Sequence, residues 1–490
     1  MPALQRLVVA ALVVGISGDV LLRGGMWRLG FAMWIAILAA AVFVVHLQAS
    51  RERSALLCGL CAAAFGLAWR DAPMMYSINM LSVLCMGALL IWHGTGQRIR
   101  QFSIVDVVRA PLLAIGNGVG GAFAVLSAWT RTRGGESVYA GHARALGVGV
   151  ILAAPPAILV ASLLASSDVI FGKRLEAIGV FLAADAIHHT FVAAVLSWLA
   201  VGWLRGAAGD ALSHFVPAAP TPAVPLLSVS VILGAQIAVL ALFCFTQLET
   251  LFGGHAFLLR TEGLSLATYA REGFFEVVVA AGMVVGTLVV SEWLLGKTVR
   301  TSPTRLPIMG AVLLVCVAML LVSGILRITL YVREFGMTVD RALAGAGVVW
   351  VAAIMIIAAF TTLRQRGHRF MPLTLGATIA WVAVVNLINL EGLVARYNIH
   401  RARTGATFDV AYHTQLSADA LPALVTGASR LSREQCTALT GTLAKSWEER
   451  LANPETGGRD WRSRNWPIVW AQRSHRRAQA TCDSPAAAIN

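Results

Sequence analysis

The chain has 490 residues, 57% of them hydrophobic and only 13% charged, with a formal net charge of +14. Soluble domains carry roughly 25% charged residues, so a chain this poor in charge cannot cover a water-facing surface and must present much of itself to lipid. That excludes an ordinary soluble protein. The basic excess lacks aromatic–basic interleaving or a recognition motif for nucleic acid and reads instead as basic loops held against anionic lipid.

A helix needs about 20 residues to cross the hydrocarbon of a bilayer. Apolar runs of that order lie near residues 6–22, 29–48, 54–69, 77–94, 146–166, 177–204, 226–248, 274–295, 307–330, 344–363 and 371–390. The runs are continuous rather than alternating, which predicts helices and not barrel strands. The expected fold is all-α: a polytopic transmembrane bundle of about 11 spans over residues 1–401, followed by a small extramembrane helical unit.

The first run opens like a signal peptide, with Arg6 before LVVAALVVGI, but Asp19 and the lack of an A-x-A site favour a retained helix. Cys58 and Cys61 fall inside the third run, without histidine or carboxylate neighbours, and are expected to be core. The segment Ser103–Thr130 is moderately apolar yet holds Asp106, Arg109 and a glycine run at 116–121 broken only by Asn117 and Val119. Residues 103–145 are therefore expected to form a cytoplasmic interfacial segment and loop. Without a G-K-[ST] ending or a preceding strand, the glycines predict close helix packing rather than a phosphate loop.

Within the next long run, Asp185, His188 and His189 share a helix face at i, i+3 and i+4. Counted from a span starting at 177, the histidines fall near the bilayer midplane. An intramembrane proton relay or a satisfied Asp–His pair fits this spacing. No metal is expected, because zinc needs three or four ligands and no H-E-x-x-H or matching set is present.

The densest charge in the apolar body is Leu251–Glu276, which places His255, Arg260, Glu262, Arg271, Glu272 and Glu276 between two spans. Glu272 and Glu276, four apart on one helix face, repel unless a proton, a cation or an arginine bridges them; Arg260, Arg271 and Arg333 are the candidates. The basic loops Lys297–Arg305 and Arg364–Arg369, two spans apart, are both expected in the cytoplasm. That puts the N-terminus inside, with Arg70-Asp71, Leu251–Glu276, Arg333-Glu334, Asp340-Arg341 and Glu391 on the outer face. Asn386, Asn389 and Glu391 share one side near the end of the last run, placed to cap it or to help close the outer site.

Composition turns polar after about Ala402. Residues 402–476 are expected to form three or four helices outside the membrane, with Ser417 and Ser432 as N-caps and Ser432-x-x-Gln435 as a capping box. Residues 477–490 read as a disordered tail. Cys436 and Cys482 are the two cysteines of this region, and an outer location permits their pairing. Asp460-Trp461-Arg462 reads as a packing or docking element.

The segments TEGLSLATYAREGFFEVV, WRDAPMMYSINML, LLASSDVIFG, LYVREFGMTVDR, LINLEGLVARYNIHRA and SADALPAL, in this order apart from the first, resemble a bacterial multi-pass membrane family (4153/4173 type) catalogued only as a domain of unknown function. The resemblance spans roughly Arg70 to Trp470. It implies an architecture and no mechanism, and assigns no role to the matching residues, among them Arg260, Glu262, Arg271 and Glu276. With no nucleophile elbow, serine–lysine signature or triad in view, the expected function is a transporter-like or sensory component of the bacterial cytoplasmic membrane with a charged outer site. The alternatives are a membrane-embedded enzyme acting on a lipid-linked or headgroup substrate, with Glu262, Glu272 or Glu276 as acid or base, and a structural scaffold. The bilayer is the expected partner, with an envelope protein or lipid ligand at the outer face; no cofactor is implied.

Overall fold

The computed structural model describes residues 2–23, 27–46, 50–131, 185–209, 224–260, 274–295, 305–364, 366–453 and 460–474, with isolated positions at 160, 164, 167–168, 170–174 and 482. The side chains of 2–3, 126–131, 185–188, 246–260, 274–278, 363 and 474 fall outside that description. So do the expected disordered tail, apart from Cys482, and most of the expected span at 146–166.

Every regular element among the described residues is helical. The first lobe contains α1 (Pro2–Leu21), α2 (Leu29–Val45), α3 (Arg51–Trp69), α4 (Pro73–His93), α5 (Asp106–Arg131) and α6 (Asp185–Ala207). These share one apolar core built around Leu60, Leu90, Trp92, Leu113 and Leu204. The second lobe contains α7 (Leu226–Arg260), α8 (Phe274–Leu295), α9 (Arg305–Phe335) and α10 (Val339–Leu363), with its own core around Leu233, Leu288 and Leu313. Between the lobes runs α11 (Phe370–Leu387), of which only Phe370 and Val385 are buried. Met371 packs against both cores.

Among the described residues, eight helices are long and apolar enough to cross a membrane, and α2 and the stretch Val279–Leu295 of α8 are shorter apolar helices. Leu84 and Leu227 show their side chains outward, as lipid-facing residues do. The expected multi-pass all-α bundle is thus present, while its expected count of about 11 spans is not reached among the described residues. α3 falls short of the eight because its first turn is Arg51-Glu52-Arg53.

The glycine-rich segment, expected to be interfacial, forms the helix α5. α5 runs beside α4 and α6 as a bundle helix, and Asp106–Val125 is long and apolar enough to cross. Its charge is handled at the helix end: Asp106 accepts from Trp92 Nε1 at 2.9 Å and from Ser103 N and Oγ at 2.9 and 2.6 Å. The glycines serve packing, as expected. A Cβ on Gly121 or Gly202 would collide with the facing backbone, so α5 and α6 touch almost main chain to main chain.

The helix ends define two faces. One gathers Arg51, Arg53, His93, Arg98, Arg100, Arg205 and the turn Gly367–Arg369, which packs against Ile99–Gln101. We call it the basic face. At the opposite end lie the α1–α2, α3–α4 and α9–α10 connections and the end of α11.

On that second face sits the extramembrane unit: α12 (Leu390–Arg403), α13 (Val410–Gln415), α14 (Leu421–Ala428), α15 (Arg433–Ala452) and α16 (Trp466–Ser474). Its core includes Ala395, Ile399, Leu421, Leu424, Leu439 and Trp447. The unit thus starts at Leu390, earlier than the composition shift at Ala402, because α12 is polar along one side and buries the other. Ser432 caps α15 by accepting from Gln435 N at 3.3 Å, as expected. Ser417 does not cap α14, which follows Ala420; its hydroxyl is committed elsewhere. Cys436 and Cys482 form a disulfide. Cys58 lies exposed on its helix rather than in the core expected for it and Cys61 is half-buried; Cys85 is exposed, and Cys244 and Cys316 are buried.

Candidate functional site

The main described polar site is the seam where the extramembrane unit meets the bundle. It is built from three short segments: Arg70-Asp71-Ala72 between α3 and α4, Asn386–Glu391 spanning the end of α11 and the start of α12, and Ser417-Ala418-Asp419 before α14. Ala72 and Pro73 end the extended turn and begin α4, so the amides of Asp71 and Ala72 point outward, free of helical partners. Both donate to Asp419 Oδ2, at 2.7 and 2.9 Å. The exchange is reciprocal: Asp71 Oδ2 accepts from Ala418 N at 3.0 Å.

Two guanidiniums neutralise these two carboxylates. Arg28, from the α1–α2 connection, meets Asp71 Oδ1 at 2.6 Å, and Arg70 meets Asp419 Oδ1 at 3.3 Å. Arg70 also donates to the carbonyls of Asn386 and Leu387, at 2.6 and 2.9 Å, placing its charge on the C-terminus of α11 where the helix dipole favours a cation. Asn465 reaches in from the start of α16 and donates to Asp71 Oδ1 at 2.8 Å. All four charged side chains are nearly buried, with at most 11% of any one exposed.

Below this pair of ion pairs the amides of Asn79 and Asn386 exchange hydrogen bonds at 2.8 and 2.9 Å, tying α4 to α11. Gly66 of α3 leaves the room that Asn79 occupies. Asn389 caps α12 through Gly392 N at 2.8 Å and donates to the Asp419 carbonyl at 2.7 Å. Glu391, 4% exposed, accepts from Ser417 N and Oγ at 2.7 and 2.6 Å.

Burial, which the Ser417 bonds only partly offset, pushes the Glu391 carboxyl up to about 7, with the charges of Asp419 and Asp71 adding to the rise. Burial also raises Asp419, against the pull of the two backbone amides and Arg70. With Arg28 and Arg70 already balanced by Asp71 and Asp419, an ionised Glu391 would be an excess buried charge. The cleft beside it, lined by Arg70, Asn389, Glu391 and Asp419, has a cavity volume of about 10 Å3, enough for about one water. This arrangement fastens two bodies together; it has no room for a substrate.

A second seam lies alongside. Asn398 of α12 donates to the Met337 carbonyl at 2.7 Å and accepts from Met337 N at 2.9 Å, while Tyr412 Oη accepts from Val339 N at 2.8 Å. Asn398 Nδ2 also lies 3.1 Å from His413 Nε2. Burial lowers the His413 pKa and raises that of Tyr412, so both stay neutral over the physiological range.

Of the residues singled out in the sequence, Arg333 is exposed at the end of α9, and its carbonyl accepts from Arg401 at 2.8 Å. His255 and Arg260 belong to α7 and Glu276 to α8, but their side chains lie outside the description, as do Glu262, Arg271 and Glu272 altogether. The ends of α7 and α9 and the start of α8 share the junction's side of the bundle, since α7 begins beside the end of α8 (Val224 N to Leu294 O, 3.3 Å). Asp185 and His188 lie on α6 with side chains likewise undescribed.

His189 bonds through Nδ1 to Asp19 of α1 at 2.9 Å, and Arg23 joins the same carboxylate. Asp19 lies two residues from the end of α1, so His189 pairs with a carboxylate close to that helix end. Among the described residues no group of three His, Cys, Asp or Glu side chains is placed to hold a metal ion.

Sequence motifs had pointed near the junction without assembling it. WRDAP, LINLEG and SADALPAL, three of the family-like segments, supply Arg70, Asp71, Asn389, Glu391, Ser417 and Asp419. Asn79 lies further along the first of these segments, WRDAPMMYSINML, whereas Arg28 and Asn465 carried no such signal.

These features define a multi-pass integral membrane protein that carries a helical unit on one face. A family model described as a domain of unknown function (DUF4153) matches residues 54–427. The chain belongs to that family. No curated protein and no solved structure gives a match.

Proposed function

We propose that the protein is a non-catalytic component of the bacterial cytoplasmic membrane, transporter-like or sensory, whose bundle holds the helical unit outside the cell membrane and offers it, with the neighbouring charged loops, to a ligand or partner. The observation that carries this reading is the junction of Arg28, Arg70, Asp71 and Asp419, which fixes the unit rigidly to the bundle while leaving no room for a substrate. Orientation is supported from both sides. The arginine-rich face suits the cytoplasm, and a disulfide suits an oxidising compartment.

The helix ends at Arg260 and Phe274 lie on the same side, which supports reading the charged stretch between them as the place where a ligand would meet charge. An enzyme acting on a lipid-linked substrate needs an accessible acid or base; the junction carboxylates are all engaged.

Photo-crosslinking in growing cells tests the proposal. A photoreactive residue replaces Trp466, 65% exposed on the unit, and in a control replaces the lipid-facing Leu84. A discrete adduct from position 466 only, lost when Arg271 and Glu272 are both changed to Ala, is the expected result. Lipid adducts alone from both positions, or an adduct unaffected by the double change, would reject a partner site there.

A further inference from the structure

We propose that the groove between α1 and α2 binds one anionic phospholipid from the leaflet on the basic face. The groove has a cavity volume of about 550 Å3, within the range of roughly 300–1,000 Å3 common to ligand sites. Its walls are Val9 and Val13 of α1 and Ala40, Ala41 and Val44 of α2, and Arg6 stands at its mouth. The small side chains of Ala40 and Ala41 create the depression, and Val9, Val13 and Val44 stand more than half exposed along it.

Length and charge together select the occupant. α1 and α2 run antiparallel, so Arg6 and Val44 share the basic end while Val13 lies deeper. From Arg6 to Val13 is about 10 Å of helix, which is less than one leaflet's share of the hydrocarbon, about 15 Å. The groove thus stops before mid-bilayer. A transmembrane helix from a second chain would need a surface twice as long. An acyl chain fits this depth, and a phosphate at the headgroup level complements the arginine. The proposal holds whichever compartment the basic face meets.

The test is native mass spectrometry of the full-length chain, purified in detergent and exposed to equal amounts of phosphatidylglycerol and phosphatidylcholine. The parent should retain one lipid, with phosphatidylglycerol in excess. Arg6→Gln should reduce that excess about fivefold, and Ala40→Phe, which plugs the groove at an exposed position, should remove the retained lipid. If the Phe variant is not monodisperse, Ala40→Leu serves as the plug. Three results would overturn the proposal: equal retention of the two lipids by the parent, an undiminished adduct in the plugged variant, or a parent dimer that the plug dissociates, which would make a second copy the occupant.

Discussion

At the scale of single residues, the junction separates groups that hold structure from a group that responds to pH. Asp419 accepts two backbone amides and faces Arg70 in a buried setting. Asp419→Ala removes one partner of a buried pair and strands the other, a change that costs about 3–5 kcal/mol. The expected outcome is release of the extramembrane unit by limited proteolysis near Asn389 at temperatures where the parent resists. Unchanged cleavage kinetics would show that the ion pair contributes nothing to the seam.

Glu391 behaves differently. Its carboxyl titrates at about 7 in the folded chain against an ordinary 4.5, so between those values the folded chain holds a proton that the unfolded chain has released. The associated stability, roughly 3 kcal/mol, is fully present below pH 4.5 and is lost as pH rises through 7. Thermal unfolding in detergent should therefore show a midpoint that falls between pH 5 and 8. Glu391→Gln, which mimics the neutral acid, should flatten that fall; a variant whose midpoint tracks the parent's across the range would remove Glu391 from the account. None of this was legible locally. Glu391 stood out in the sequence as a charge near a span end, but its burial depends on Ser417 and Asp419, which lie in a different segment.

At the scale of elements, legibility followed how local the signal was. Long apolar runs, the Ser432 cap and the close-packing role of the glycines could be read because periodicity, capping and small-residue spacing act within one helix. The path of α5 could not. Asp106 and Arg109 made the segment look interfacial, whereas Trp92, from the preceding helix, satisfies Asp106 at the helix end. The partner of His189 was hidden for the same reason: it is Asp19 on α1, far away in sequence. The α5–α6 crossing gives a direct check. At Gly202 a Cβ would meet the carbonyls of Asn117 and Gly118, so Gly202→Val must push the helices apart and forfeit their packing. The expected loss is about 1–3 kcal/mol or more, read as a lower unfolding midpoint and reduced yield in the membrane. Gly118, with nothing near its Cβ, should tolerate Ala in the same assay, and equal damage at both positions would argue against the close crossing.

At the scale of the whole molecule, two lobes with separate cores are bridged by a thinly buried α11 and clasped at one face by the junction. Such a body depends on its orientation, because the clasped unit carries a disulfide while the opposite face carries the arginines. Cys436 and Cys482 are 46 residues apart, and closing a loop of that size stabilises a small unit by about 4 kcal/mol on the chain-entropy model. In a reducing compartment that contribution would vanish and both thiols would react with a maleimide; outside, neither would. Spheroplasts treated with a membrane-impermeant reductant and then a membrane-impermeant maleimide should thus label the unit only after reduction. Cys436→Ser should label at Cys482 without reductant, and its unit should unfold at lower temperature. The five remaining cysteines are replaced beforehand with Ala so that the signal belongs to this pair. Labelling that requires lysis would reverse the proposed orientation and with it the side on which a ligand or partner is met, and labelling of the parent before reduction would show an outer unit whose two cysteines are not joined.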